Sequence, residues 1–289
     1  MQLLNGKMAA NIVKAGIKEY LFDCVIRPTL VVIQVGNDSA SNTYIKNKVS
    51  ACEYTGINSK VLHVEESVSE DYLISMIHEL NDNPEVHGIL VQLPLPKNFN
   101  VDKILSSISP YKDVDGFHYE NVGRVVVGNE RFVSCTPLGI MKLLQYYNIP
   151  IAGKECIVVG RSNIVGKPIA LELLHANGTV TIAHSKTVNL KEVCKRADIL
   201  VCAIGKPKFF NRDYVKDGAV VIDVGINRDE FGKLCGDVDF EDVKDIVSAI
   251  SPVPNGVGAM TVAMLMYNCV EAMKIQSKRA KENNMKEGV

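Results

Sequence analysis

Short β-branched apolar runs alternate along the chain with longer stretches of helical period. That alternation predicts parallel βαβ units, an α/β fold rather than a β-sandwich. In the first half, Pro28–Val35 (PTLVVIQV) reads as a buried strand and Gly36-Asn37-Asp38 as a turn. Ser39 to about Thr55 reads as a helix stopped by Gly56, and Lys60–Val64 as a second strand. A helix over Glu70–Leu80 follows, with Ser69 as N-cap. His87–Leu93 (HGILVQL) is a third strand, ended by Pro94 and Pro96, which cannot donate to a ladder. The second half repeats the rhythm, with Pro137 in the first turn of a helix over Leu138–Tyr146. Strands are expected at Cys156–Val159, Val180–Ala183, Ile199–Ala203 and Ala219–Val224. Helices are expected at Pro168–His175, about Leu190–Arg196 and Met260–Lys274, before a charged tail, SKRAKENNMKEGV, that is expected to fray.

Composition narrows the class. With 289 residues, 47% hydrophobic and 22% charged, the chain has ordinary globular usage and the length of two domains. Its formal net charge of −1 argues against a surface built to bind nucleic acid. The eight cysteines form no CxxC pair and the six histidines no HExxH, so neither a disulfide framework nor a protein-held metal is expected. Lys7, Lys14 and Lys18 interrupt any signal-like apolar core, and no apolar run has the length of a bilayer span. The expectation is a reduced, cytoplasmic protein with no membrane association.

The segment Cys156–Ala170, CIVVGRSNIVGKPIA, runs from a buried strand through Gly160 into a helix beginning around Gly166-Lys167-Pro168. Unpaired N–H groups at such a helix start attract a phosphate. The spacing Gly160-x-Ser162-x-x-x-Gly166 is not the common GxGxxG, and an ordinary strand–turn–helix reads the same way. The next strand adds information. An NAD site usually carries a carboxylate there for the ribose 2′-hydroxyl, but the strand ends in Ala183-His184-Ser185-Lys186. Arg161 and Ser185 together would suit a 2′-phosphate, which predicts NADP over NAD.

Tyr44 and Lys48 lie four residues apart on a predicted helix, hence on one face. Short-chain dehydrogenases use a Tyr-x-x-x-Lys pair, but after their glycine turn; here it comes over a hundred residues before it. With ten tyrosines, roughly 0.8 such matches arise by chance. Gln92 interrupts an apolar strand end, ILVQLPLP, and must either bond to backbone or face a cleft. In Lys112-Asp113-Val114-Asp115-Gly116-Phe117, Asp113 reads as a turn acid and Asp115 as a carboxylate that could meet a polar ring. The end of the strand Ile222-Asp223-Val224-Gly225-Ile226-Asn227 could touch a nicotinamide, and Ser251–Thr261 is a glycine–proline loop permitting close backbone approach.

Taken together, TYIKNK, GILVQLPLP, KDVDGFH, SCTPLGIMKLL, VVGRSNIVGKP, AHSKT, IDVGIN and SPVPNGVGAMTVAML occur in one family's order, from about Gly36 to Met264. The chain resembles the bifunctional methylenetetrahydrofolate dehydrogenase/methenyltetrahydrofolate cyclohydrolases. The resemblance implies two α/β domains flanking a cleft, the second a Rossmann-like NADP-binding domain. Residues 1–135 plus 264–289 would form the folate-binding catalytic domain and 136–263 the NADP domain. It also implies a homodimer and a supply of one-carbon units for purine biosynthesis. The implied catalytic set is Tyr44 stacking on the folate, Lys48 as the catalytic lysine, Gln92 as its partner and Asp115 holding the pterin. Leu93, Pro254, Gly256, Val257 and Gly258 join the substrate contacts. Gly160, Arg161, Ser162, Ile164, Val165, Ser185 and Ile226 would line the NADP site.

The final loop departs from the family's PGGVGPMT, with Asn255 and Ala259 in place of a glycine and a proline, and Ser134 stands where proline is common. Asn255 can keep a positive-φ path. A monofunctional dehydrogenase of the same fold, or a non-catalytic dinucleotide-binding protein, is the alternative. An intact Lys48 and Gln92 speak against both.

Overall fold

The computed structural model describes residues 1–287. These form two compact units, Met1–Asn11 with Ser134–Met264, and Ile12–Val133 with the chain from Leu265 onward.

In the second of these, Thr29–Val35 is the central strand, with Asn58–Val64 and Gly88–Val91 parallel on either side. A strand flanked on both edges and covered on both faces needs continuous apolar residues, and every position after Thr29 is buried. The following helix, Ser39–Thr55, starts where the Asp38 carboxylate accepts the Ser41 N–H (2.7 Å). It stops at Gly56, whose φ of 82° suits a residue without Cβ. Ser69 caps the helix Glu70–Asp82, which buries Leu73 and Ile77 against Ile33 and Ile89. The third strand is shorter than HGILVQL suggests, yet the Gln92 N–H still donates to the Ile33 carbonyl (2.9 Å) before the prolines end the ladder. Helices at Val101–Ser107 and Tyr119–Val126, which the periodicity does not announce, complete this unit. Asn268, 2% exposed, holds it together from the last helix by donating to the carbonyls of Val114 (2.8 Å) and Val133 (3.1 Å).

The other unit is a six-stranded, all-parallel sheet. Its order is Gln2–Leu3, Ala249–Ile250, Val220–Asp223, Ile199–Cys202, Glu155–Val159, Thr179–Ala183. From Glu155–Val159 the chain goes to one side for Thr179–Ala183 and then to the other for Ile199–Cys202. That reversal opens a crevice at the carboxyl end of Glu155–Val159, where open α/β sheets bind ligands. Ile157, Val159, Leu200, Phe210 and Val221 fill the core beneath.

Two features differ from the sequence-based expectation. Residues 1–11 belong to the six-stranded unit, because Gln2–Leu3 adds an edge strand and the Lys7 N–H donates to the Asn255 carbonyl (3.1 Å). A helix, Gly6–Phe22, follows directly. The last helix spans Val257–Glu287, well beyond Lys274. Lys, Glu, Ala and Met in the charged tail are strong helix formers, and extending an existing helix avoids the nucleation cost. Gly288 and Val289 of that tail lie outside the described residues. All eight cysteines are free and seven are buried; burial pushes the thiols of Cys52 and Cys194 up to about 12, so they pack as small apolar groups. Among the described residues no helix is long and apolar enough to cross a membrane.

His87, at the foot of the third strand, accepts the Thr29 N–H on Nδ1 (3.1 Å). Burial, then the charge of nearby Lys112, lower its pKa below the ordinary 6.5. The unfolded chain therefore takes up a proton first as pH falls, so this contribution is whole above the unfolded value and is lost on acidification. The melting midpoint is expected to fall between about pH 7 and about pH 5, and His87→Gln is expected to flatten that slope. Parallel melting profiles for the two proteins would contradict this.

Candidate functional site

In the three-stranded unit, Lys48 points from the helix Ser39–Thr55 to the end of the strand Gly88–Val91. Its Nζ donates to Gln92 Oε1 at 2.9 Å. Gln92 Nε2 in turn donates to the Leu93 carbonyl at 2.6 Å. With the amide nitrogen committed to backbone, the amide oxygen has to face the amine, and both side chains remain half-buried rather than sealed. Both possibilities left open for Gln92 are thus realised at once: one end of its amide bonds to backbone and the other serves the lysine. Tyr44, one turn earlier on the same helix, keeps 40% of its surface exposed, so its ring is free to stack on a planar ligand.

Asp115 is half-buried in a turn that is fixed on both sides. On one side, Asn268 grips the Val114 carbonyl (2.8 Å). On the other, Asp113 accepts from the N–H groups of Phe117 (3.1 Å) and His118 (2.8 Å) and from Asn121 Nδ2 (2.8 Å). Asp113 is 1% exposed, and burial raises its pKa against these donors. It is the keystone of the turn rather than an ordinary turn acid. Two acids around one valine carry no sign in the sequence of which one is buried.

In the six-stranded unit, Gly160 adopts φ 140°, and a Cβ there would collide with the Ala203 carbonyl. A Cβ on Gly166 would strike the Gly160 carbonyl. Both glycines are therefore already required by the packing of loop and helix, before any phosphate approaches. Ser162 differs from expectation too. Its Oγ accepts from Val165 N–H and Gly166 N–H (both 3.2 Å), and its carbonyl from Lys167 N–H (3.0 Å). The helix-start donors expected to serve an anion are thus spent on Ser162. Among the described residues, the amides still without a protein acceptor are those of Arg161, Ser162, Asn163 and Ile164.

The Arg161 guanidinium is exposed and has no ion-pair partner among the described residues. Val159 and Ala183 are register partners, so Arg161 and Ser185 each stand two residues beyond a paired position. The turn that exposes Ser185 is closed by His184 N–H to Thr187 Oγ1 (2.9 Å) and Thr187 N–H to the His184 carbonyl (2.8 Å). Two exposed cation or hydroxyl groups beside a row of open amides fit a phosphorylated dinucleotide. Ile164 is 39% exposed, and its carbonyl is held by Ser134 Oγ (2.6 Å), a hydrogen bond that a proline at 134 would lack.

Ile226 is 49% exposed at the end of the strand Val220–Asp223. Asp223 itself turns inward; burial pushes its carboxyl up to about 7, against three backbone donors that favour its anion. In the loop before the last helix, Asn255 adopts φ 73° and Pro254 and Gly258 are exposed. Val257 is 3% exposed, so only its backbone remains for a ligand. Gly256 is packed so closely on the Pro252 carbonyl that a Cβ would overlap it.

Comparison with known proteins gives a consistent result. The profile of the tetrahydrofolate dehydrogenase/cyclohydrolase catalytic domain matches residues 4–115, and that of the NAD(P)-binding domain of the same family matches residues 134–277. The chain is 61% identical to the bifunctional protein FolD of Lachnoclostridium phytofermentans, over 85% of this chain and 87% of that protein. The crystal structure of the bifunctional methylenetetrahydrofolate dehydrogenase/cyclohydrolase FolD from Campylobacter jejuni superposes with a TM-score of 0.93 at 48% identity, covering 95% of this chain and 99% of that one. The corresponding Trypanosoma brucei enzyme, solved with NADP cofactor and an inhibitor, gives 0.89 at 33% identity, over 93% and 96%.

A capping role for Ser162 is separable from a ligand contact. Ser162→Ala is expected to cost about 1 kcal/mol in the free protein, as N-cap losses do, and to lower the melting midpoint by roughly 2–4 °C. A variant that melts with the wild type, measured without nucleotide, would contradict the cap.

Proposed function

The chain belongs to the tetrahydrofolate dehydrogenase/cyclohydrolase family, and from that premise we propose how its own residues carry out the two reactions. It oxidises 5,10-methylenetetrahydrofolate to the methenyl form with NADP and hydrolyses that product to 10-formyltetrahydrofolate. The observation that carries the residue assignment is the hydrogen bond from Lys48 Nζ to Gln92 Oε1.

The methenyl carbon shares a positive charge with its two flanking nitrogens. An ammonium beside it would oppose its formation, so Lys48 acts as the neutral amine in the steps that create and consume this cation. Held by Gln92, that amine keeps one N–H on the amide oxygen and aims its lone pair elsewhere. As a water oxygen bonds to the methenyl carbon, Lys48 takes the water's proton. The carbon–nitrogen bond to the ring nitrogen then breaks, Lys48 returns a proton to that nitrogen, and the formyl group stays on the other. Tyr44 offers its exposed ring to the pteridine, and Asp115 accepts from the ring's amino and N–H edge. Leu93 and the backbone of Pro254, Gly256, Val257 and Gly258 complete the substrate contacts.

NADP, when bound, takes the hydride from the methylene carbon and needs no acid or base from the protein for that step. Gly160, Ser162, Ile164 and Val165 shape its loop, Arg161 and Ser185 hold its 2′-phosphate, and Ile226 meets the nicotinamide side. The folate-binding part comprises 1–135 with 264–289, and the NADP part 136–263. The amino-terminal strand Gln2–Leu3 is a structural loan to the latter. Family likeness supports a homodimer and a place in purine biosynthesis, and the eight free cysteines suit a reducing cytoplasm.

Lys48→Met is expected to abolish methenyl hydrolysis, followed by the decay of methenyl absorbance, while NADP still binds. Wild-type hydrolysis by this variant would remove Lys48 from the mechanism. Arg161→Ala is expected to raise KM for NADP by about 10–100-fold, the worth of a hydrogen bond to a charged group, with little change in KM for NAD. An unchanged preference between the two cofactors, from paired initial-rate measurements, would contradict the 2′-phosphate assignment.

A further inference from the structure

Two carboxylates in the six-stranded unit are buried where no reaction step uses them. Asp237 is fully buried and Asp223 is 4% exposed. Between them they accept seven hydrogen bonds. Asp237 Oδ2 takes the N–H of Ile204 (2.6 Å) and Gly205 (3.0 Å), and Oδ1 takes the N–H of Lys206 (2.8 Å) and Asn227 Nδ2 (2.9 Å). Asp223 takes the N–H of Gly225 (3.0 Å), Asp237 (2.9 Å) and Val238 (3.0 Å).

Three consecutive amides closing on one carboxylate form an anion nest, here filled by the protein's own side chain. The loop it fixes follows the strand Ile199–Cys202 at the carboxyl edge of the sheet, and the Ala203 carbonyl that starts this loop lies against Gly160. On its other side Asp237 holds Asn227, the neighbour of Ile226. The chain makes room for this arrangement at two places. A Cβ on Gly225 would overlap the Asp237 carboxylate, and one on Gly236 would overlap that of Asp223. The glycines of IDVGIN and of Gly236-Asp237 are thus explained by the acids beside them, without reference to a ligand.

We propose that Asp237 is a positioning residue for the nicotinamide end of the NADP site, tying the Ile204–Lys206 loop to the Ile226 turn so that this wall is formed before the cofactor arrives. The proposal rests on the assignment of Ile226 to the nicotinamide side. A loop with three amides on one carboxylate loses little entropy on binding, whereas a loosened loop has to be ordered at the cofactor's expense. Asp237→Asn puts an NH2 where an oxygen now accepts two N–H groups, so one pair of contacts has to open.

The test uses the full-length enzyme without folate. Hydrogen exchange of the segment 203–207 in the nucleotide-free protein is expected to speed up at least tenfold in Asp237→Asn. By calorimetry, the Kd for NADP is expected to rise about tenfold, as for the loss of one net hydrogen bond, while that for adenosine 2′,5′-bisphosphate, which lacks the nicotinamide half, stays at the wild-type value. Equal weakening of both ligands, or faster exchange with unchanged NADP affinity, would overturn the proposal. Should Asp237→Asn not fold, Asn227→Ala removes a single donor and is held to the same three readings, with a smaller rise expected. Failure of the underlying assignment is distinguishable: Ile226→Ala would then leave NADP affinity unchanged in an otherwise wild-type protein.

Discussion

The hydrogen bond between the Lys48 amine and the Gln92 amide is the constraint on which the chemistry depends. A lysine side chain has four rotatable bonds and in water no preferred direction. Here a helix brings it to the strand end, and an amide whose nitrogen is already bound to the Leu93 carbonyl leaves only its oxygen for the amine. The direction of the lone pair is set by backbone, through one intermediary. The chain folds to make this possible: Gln92 follows Val91, which stands in register with Ile33 in the most buried strand of its sheet, so the amide rides on the least mobile part of that unit.

The six-stranded unit works by the same principle in a different material. Its loops are held less by apolar packing than by oxygens that fill backbone donors: Ser162 for the glycine turn, Ser134 for the Ile164 carbonyl, and Asp223 and Asp237 for the loops on the far side. What remains open is a short run of amides from Arg161 to Ile164 and a guanidinium with no protein partner. A site of this kind binds a phosphorylated ligand with donors already aligned, so little has to be reorganised when it arrives.

Much of the fold was legible because period and punctuation agreed. PTLVVIQV, the Asp38 and Gly56 ends of the first long helix and the Ser69 cap all appear where the sequence puts them. The amino-terminal helix and the two-residue strands at the sheet edge were not legible. Gln2–Leu3 is a strand only because Ala249–Ile250 lies beside it, a pairing across nearly the whole chain that no local pattern encodes. The site divides in the same way. Spacing alone put Tyr44 and Lys48 on one face but gave that pair no more weight than chance, and nothing local joined either to Gln92, forty-four residues beyond Lys48. That connection came through family resemblance. Ser162 read as a ligand contact because its neighbours are glycine-turn residues; which of two acceptors a helix-start amide takes depends on side-chain geometry that sequence does not carry.

The most direct test is a crystal structure of the enzyme with NADP and a non-hydrolysable methenyltetrahydrofolate analogue bound. The account predicts the pteridine against the ring of Tyr44, its amino edge on Asp115, and the Lys48 amine about 3 Å from the water or atom placed to attack the bridging carbon. A pteridine bound elsewhere, or at this face with the Lys48 amine turned into bulk solvent, would contradict it.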